Sequence, residues 1–178
     1  HWPATRAELT RVHQLFAKTN QFNLTTKRYK PGDVETFIAS PDWHVEVVKA
    51  EDRFGDLGII AAFLLDLRDP ATVEVDSVMM SCRAMGRGIE TVIGNRLKAV
   101  ASEHAPGGQL GGWFRPTAKN KPAADFFTRQ GFVAETTDGD GNTRYVLAVD
   151  SARELPVPGI DVAQRPNEGA RALEPEAG

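Results

Sequence analysis

The sequence predicts an α+β domain built on a mixed, mostly antiparallel sheet with about four flanking helices. Three observations carry this reading. Runs rich in β-branched and apolar residues at 43–48, 58–67 and 72–80 follow one another with turn residues between them. The third run meets the stretch Arg83-Ala84-Met85-Gly86-Arg87-Gly88, and a helix-type pattern starts directly after it. Further on, Asp138-Gly139-Asp140-Gly141-Asn142 separates two more β-type runs, which marks a hairpin.

Taken in order, Thr5-Arg6-Ala7-Glu8 has the spacing of a capping box, in which hydroxyl and carboxylate satisfy each other's backbone donors. Leu9, Val12, Leu15 and Phe16 recur at helical spacing, so a first helix runs to about Lys18. Residues 19–29 follow neither period and are dense in amides and hydroxyls. They read as a loop with many local hydrogen bonds, and the composition also suits a substrate-facing surface. Pro31-Gly32-Asp33 starts a short helix through Ile38, which Ser40-Pro41-Asp42 ends. The charged turn Glu51-Asp52-Arg53-Phe54-Gly55-Asp56 joins the runs 43–48 and 58–67 as a hairpin, and Asp69-Pro70 turns the chain into 72–80.

After the glycine stretch, Ile89, Val92, Ile93, Leu97 and Val100 share one helix face, and Pro106-Gly107-Gly108 closes that helix. Residues 110–114 read as a strand. Residues 120–129 read as an amphipathic helix with Ala123, Phe126 and Phe127 inward and Gly131 at its end. Residues 132–135 and 143–149 form the terminal hairpin. The domain covers residues 1–150. From 151 to 178, prolines at Pro156, Pro158, Pro166 and Pro175 with little apolar content describe a tail expected to be disordered.

Composition excludes several function classes. The 178 residues are 41% hydrophobic and 25% charged, as in ordinary soluble proteins, and no apolar run approaches the roughly 20 residues that span a bilayer. A formal charge of −3 argues against general nucleic-acid binding, which needs a basic surface. The lone Cys82 has no disulfide partner, and His1, His13, His44 and His104 lack metal-ligand spacing, so no metal is expected. The cytoplasm is the expected compartment.

The stretch 83–88 carries the chemistry. Gly86 and Gly88 let the backbone approach a ligand, the free N–H groups of the next helical turn favour an anion, and Arg83 and Arg87 add positive charge. A plain glycine-relaxed turn into a helix is the alternative. Arg83, Gly86 and Gly88 meet the R/Q-x-x-G-x-G/A signature. Asn120, Ala123, Phe126, Gly131 and Phe132 meet the pattern N-x-x-A-x-x-aromatic-Tyr-x-x-x-G-F, except that Phe127 stands where it has Tyr. In this element order the two motifs resemble the GNAT (Gcn5-related acyltransferase) superfamily.

A narrower likeness spans about residues 5–148. Lys18-Thr19-Asn20-Gln21-Phe22-Asn23-Leu24-Thr25-Thr26, Asp52-Arg53-Phe54-Gly55-Asp56, and Ser81-Cys82-Arg83 with Gly86-Arg87-Gly88-Ile89-Glu90 resemble the C-terminal region of FkbH-like proteins. Those proteins join a HAD-type phosphatase-like domain to a GNAT-like domain and are associated with loading a glyceryl unit from a bisphosphoglycerate onto an acyl carrier protein in polyketide pathways. This chain has no D-x-D-x-T nucleophile motif. It also begins at the first helix, where a GNAT domain has an earlier strand, so an excised domain or a free-standing relative is expected.

The resemblance implies a pantetheine thioester, of CoA or of a carrier protein's phosphopantetheine. The arm would pair along the strand at Val78, Met79 and Met80, with its phosphate end at 83–88, and Asn120 and Phe127 would flank it. The side chains of Val78, Met79 and Met80 read first as core, which leaves the arm to the strand's backbone. Acyl transfer to an amine needs a base, an oxyanion stabiliser and an acid for the leaving thiolate. Asp76 and Glu74 are candidate bases or partnered strand carboxylates, and Asn120 either orients the pantetheine amides or a water, or caps its helix. Phe127 cannot donate the proton that the family's Tyr does. Cys82, beside Arg83 and a helix start, has a nucleophile's setting. Its place at the phosphate end, however, puts it on the order of 10 Å from the thioester.

Three functions follow. The first is an acyltransferase loading an acyl or glyceryl unit onto an acyl carrier protein. The second is a non-catalytic module that recognises the carrier's arm for a HAD-type partner domain. The third is a small-molecule N-acetyltransferase.

Overall fold

The computed structural model describes residues 1–164. Its centre is a seven-stranded sheet in the order β1-β2-β3-β4-β5-β7-β6. The strands are β1 (Trp2–Pro3), β2 (Trp43–Asp52), β3 (Gly55–Asp69), β4 (Thr72–Met80), β5 (Gln109–Phe114), β6 (Val133–Thr137) and β7 (Thr143–Ala148). All neighbours are antiparallel except β4 and β5, which pair in parallel through the crossover helix α3 (Ile89–His104). The α+β class and the mostly antiparallel sheet are those read from the sequence.

Helices cover both faces, so β3 is an almost continuous apolar run, as such strands must be. On one face Val12, Leu15 and Phe16 of α1 (Leu9–Lys18) and Val34 of α2 (Pro31–Ala39) pack on Val45, Val47, Ala62, Leu64 and Met79. On the other, Ile93, Leu97 and Val100 of α3 and Phe126 and Phe127 of the short α4 (Phe126–Arg129) pack on Phe63, Leu65, Val75, Val78 and Met80. In β4 a bulge interrupts the alternation. Ser77 faces Leu64 and Val75 faces Leu65 across the ladder, which leaves Asp76 as the extra residue.

Several boundaries differ from the expectation. The sheet does have a strand ahead of the first helix: Trp2 and Pro3 pair with Val47 and Glu46. Two residues are too short to leave a period in the sequence. Thr5 and Glu8 do bond to each other, with Thr5 N and Oγ1 each 2.8 Å from Glu8 Oε2, but in the turn before α1. The β2–β3 hairpin extends into the charged segment, leaving Arg53 and Phe54 as its tip. The expected helix 120–129 is divided: Lys121–Ala123 forms one 3-10 turn around Pro122, and α4 begins only at Phe126.

The segment expected to be a disordered tail is ordered as far as it is described. Leu155 N donates to Asn95 Oδ1 at 2.8 Å, Asn95 Nδ2 to Leu155 O at 2.7 Å, and Lys98 Nζ to Arg153 O at 2.9 Å. Ile160 packs on the core. Prolines that forbid helix and sheet still permit an extended strap along α3, held by side chains of that helix. Residues 165–178 lie outside the described residues.

Candidate functional site

β4 and β5 pair only over Thr72 to Val75 against Gln109 to Gly112. Beyond them the strands part, and the fork opens an edge at Val78, Met79 and Met80, where the sequence reading put the pantetheine arm. In the structure the chain itself occupies this edge. Met80 N donates to Phe22 O at 3.1 Å, Leu24 N to Val78 O at 3.4 Å, and Asn23 forms an antiparallel bridge with Met79. On the other side Arg115 N donates to Leu24 O at 2.8 Å, and Asn120 Nδ2 to Asn23 O at 2.9 Å. Residues 22–24 therefore fill the fork like a short interior strand.

The local sequence explains this insertion. Phe22 and Leu24 alternate with Asn23, so the two apolar side chains enter the α3-side core, where the Phe22 and Phe126 rings meet in a T-shaped arrangement at a centroid distance of 5.7 Å. Asn23 Oδ1 accepts from Thr26 N at 2.8 Å, which turns the chain out of the fork, and Thr26 takes a left-handed conformation at φ 58°. Among the described residues Asn23 Nδ2 is buried without a partner. Removing two buried side chains, at roughly 1.5–3 kcal/mol each, and about four hydrogen bonds, at about 1 kcal/mol each, would cost on the order of 7–10 kcal/mol. That is comparable with the whole stability of a domain, about 5–15 kcal/mol. The insertion is a structural joint.

Asn120 locks it. The residue is fully buried, and its Oδ1 accepts from Thr117 N at 2.7 Å and Thr117 Oγ1 at 3.0 Å. Its Nδ2 donates to Arg115 O as well as to Asn23 O, both at 2.9 Å. Every hydrogen-bonding position of the amide is used. It neither caps a helix with its side chain nor has capacity left for a ligand. Val78 and Met80, expected along the arm, are fully buried core residues. Phe127 is also core. Its ring lies 5.0 Å from that of Phe132 and stacks on Tyr145 at 5.2 Å, above a Gly112 whose missing Cβ would stand 2.5 Å from Phe127 Cζ.

The glycine loop has the expected form. After a 3-10 turn at Cys82–Ala84, Gly86 and Gly88 take positive φ of 73° and 83°, and α3 starts at Ile89 with no side-chain cap. Glu90 reaches back, and its Oε1 accepts from Gly86 N at 2.7 Å. The two arginines separate. Arg87 bonds Asp52 Oδ2 at 3.2 Å and lines a cleft of about 830 Å³ with Val48, Ile60 and Ile160. Arg83 lines another cleft, of about 770 Å³. The two arginines thus line different clefts, and Arg87 is engaged by Asp52.

The second cleft is basic. Arg11, Lys18, Arg83 and Lys119 line it together with Asn20, Gln21, Ser81 and Cys82, and among the described residues no carboxylate does. The Arg11 guanidinium is committed to Ile59 O, with bonds of 2.8 and 2.9 Å. Lys18, Arg83 and Lys119 are exposed and carry no ion pair among the described residues. Cys82 is an exposed free thiol in this cleft.

Asp76 sits elsewhere, on the bulge of β4 below the α1–α2 loop. Its Oδ1 accepts from Tyr29 OH at 2.8 Å and Ser77 Oγ at 2.9 Å, and its Oδ2 pairs with Lys27 Nζ. Burial, followed by the Asp76 charge, raises the pKa of the Tyr29 hydroxyl. With three donors on it, Asp76 is a partnered carboxylate. Glu74 is also partnered, 2.9 Å from Arg144 NH2. Burial pushes its carboxyl up against the pull of that guanidinium. Tyr29 and Lys27 escaped the sequence reading because a loop without a period does not reveal which strand it covers.

The same architecture occurs in solved structures. The spermidine N-acetyltransferase of Vibrio cholerae, solved with CoA and spermine, superposes with a TM-score of 0.64 at 16% identity, over 84% of this chain and 94% of that one. Tetrahymena GCN5 does so with 0.59 at 14%, over 84% and 91%. The GNAT domain of S. lividans PAT gives 0.60 at 18%, over 82% and 88%. This chain has the GNAT fold. No protein-family model and no curated protein matches it. Within this GNAT fold the pantetheine arm does not fit the β4 edge, because the backbone atoms that would hold it already hold residues 22–24. Among the described residues no group of three or more His, Cys, Asp or Glu side chains is placed to hold a metal ion, and no helix is long and apolar enough to cross a membrane.

Proposed function

We propose that this chain is a recognition module of GNAT fold that binds the phosphate end of a pantetheine-bearing partner, CoA or a phosphopantetheinylated carrier protein, in the basic cleft beside Arg83. Its role is to present the carrier to a partner domain of HAD type during acyl or glyceryl loading in polyketide-type biosynthesis. The carrying observation is charge. In a chain of net −3, the cleft gathers Lys18, Arg83 and Lys119 with no carboxylate among the described residues that line it. The filled fork and the buried Phe127 favour binding over catalysis. The pathway rests on the resemblance of residues 18–26, 52–56 and 81–90 to FkbH-like proteins.

A second reading, acyl transfer to a carrier or to a small amine, is favoured by one feature. Asp76 and Tyr29 form a proton-bearing pair on the β4 bulge. Titration calorimetry with CoA and with apo and phosphopantetheinylated carrier, followed by a thioester turnover assay, separates the two. Binding without turnover supports the module, turnover supports the enzyme, and no binding by any of these removes both.

A further inference from the structure

We infer that residues 22–24 are a fixed strand of this sheet and set the ligand class of the site: a phosphate-bearing group held from outside, with no linear amide arm running along β4. This rests on the phosphate-cleft reading above. An amide chain laid on β4 needs Val78 O and Met80 N, and these serve Leu24 N and Phe22 O. The segment is bonded on its far edge as well, through Arg115 N and Asn120 Nδ2. It is thus held on both sides, as interior strands are and as a loop resting on a surface is not.

The side chains point the same way. Phe22 and Leu24 are 2% and 0% exposed and belong to the main core, so a methylene chain in their place would leave the Phe126 ring without its aromatic partner. A ligand therefore gains nothing from its arm. Its affinity comes from phosphates meeting Lys18, Arg83 and Lys119 at the rim, and a thioester at the end of the arm stays in solvent.

Titration of the 178-residue chain with three probes tests this: CoA, adenosine 3′,5′-bisphosphate, which has phosphates without the arm, and pantetheine, which has the arm without phosphates. CoA and the bisphosphate are expected to bind within threefold of each other and pantetheine not at all. CoA binding thirtyfold or more tighter than the bisphosphate overturns the inference and leaves the phosphate reading standing. If none of the three binds, the phosphate reading falls, and the fixed strand is judged by hydrogen exchange on the free protein. The amides of Leu24, Met80 and Arg115 are expected to exchange as slowly as those of central β3. Exchange a hundredfold faster than β3 overturns the inference without reference to any ligand.

Discussion

The side-chain amide of Asn120 donates to the backbone carbonyl of Asn23 at 2.9 Å across 97 residues of sequence. One buried side chain thereby fastens the loop after α1 into the fork between β4 and β5 and, through Arg115 O, holds the end of β5 as well. The residue that the sequence pattern offers for ligand binding is used to exclude a ligand from the sheet.

Replacing Asn120 by Ala leaves the carbonyls of Asn23 and Arg115 without that donor in the interior. The expected loss is about 2–4 kcal/mol, from two or more buried groups left unsatisfied. Asn120→Asp should be worse, because it sets a carboxylate against both carbonyls. Urea unfolding midpoints check this, and an unchanged midpoint for Asn120→Ala would show that the joint is not held there.

Restoring the family's tyrosine should not create an enzyme. Phe127 is 1% exposed among Phe126, Phe132 and Tyr145. The hydroxyl of Phe127→Tyr would be buried, at a cost of about 1–3 kcal/mol if it finds no acceptor. A lower melting temperature with no acyl transfer is expected; acyl transfer appearing in this variant would argue that the position faces a ligand.

Acid should weaken the fold through Glu46. Burial pushes this carboxyl up, but His1 and His44, each 2.7 Å away, and Arg96 at 3.0 Å outweigh it and hold its pKa at about 2 against the ordinary 4.5. A carboxylate depressed in the folded state adds stability that is complete above the unfolded value and is lost as protons bind. Stability should therefore decline as pH falls from about 4.5 towards 2, by an amount on the order of 3 kcal/mol. Glu46→Gln should flatten that decline and should be less stable at neutral pH, where it leaves Arg96 without its buried partner. Denaturant titrations at several pH values show both effects.

The cleft charges should act on ligands and not on folding. Lys18 and Lys119 are exposed, so the double variant Lys18→Glu, Lys119→Glu should stay within about 0.5 kcal/mol of the parent. Affinity for CoA should fall at least tenfold, and the residual binding should be less sensitive to salt, since screening acts on the charges removed. Calorimetry at low and high sodium chloride measures both.

Much of the fold was legible because its signals are local. The apolar face of α3, the proline-led α2 and the glycine-rich final turn each announce an element within a few residues. The missed elements lacked such signals. Strand β1 is two residues long, and the strap at 152–164 is held by Asn95 and Lys98, which sit on an unremarkable helix face. At the site, the loop with Gly86 and Gly88 was readable, but the partition of Arg83 and Arg87 between two clefts was not. That partition depends on the turn between them and on Asp52 across the hairpin.

The sequence by itself determined the order of elements after β1 and the strand-to-helix glycine turn, because periodicity and glycine placement act over neighbouring residues. Only the tertiary structure decided what fills the fork. The bonds of Phe22 O, Leu24 N and Arg115 N are made by backbone atoms that every residue type carries, so no residue pattern records them. Their partners become apparent only when distant segments are brought together, and that meeting turns a groove for a ligand into a strand of the protein.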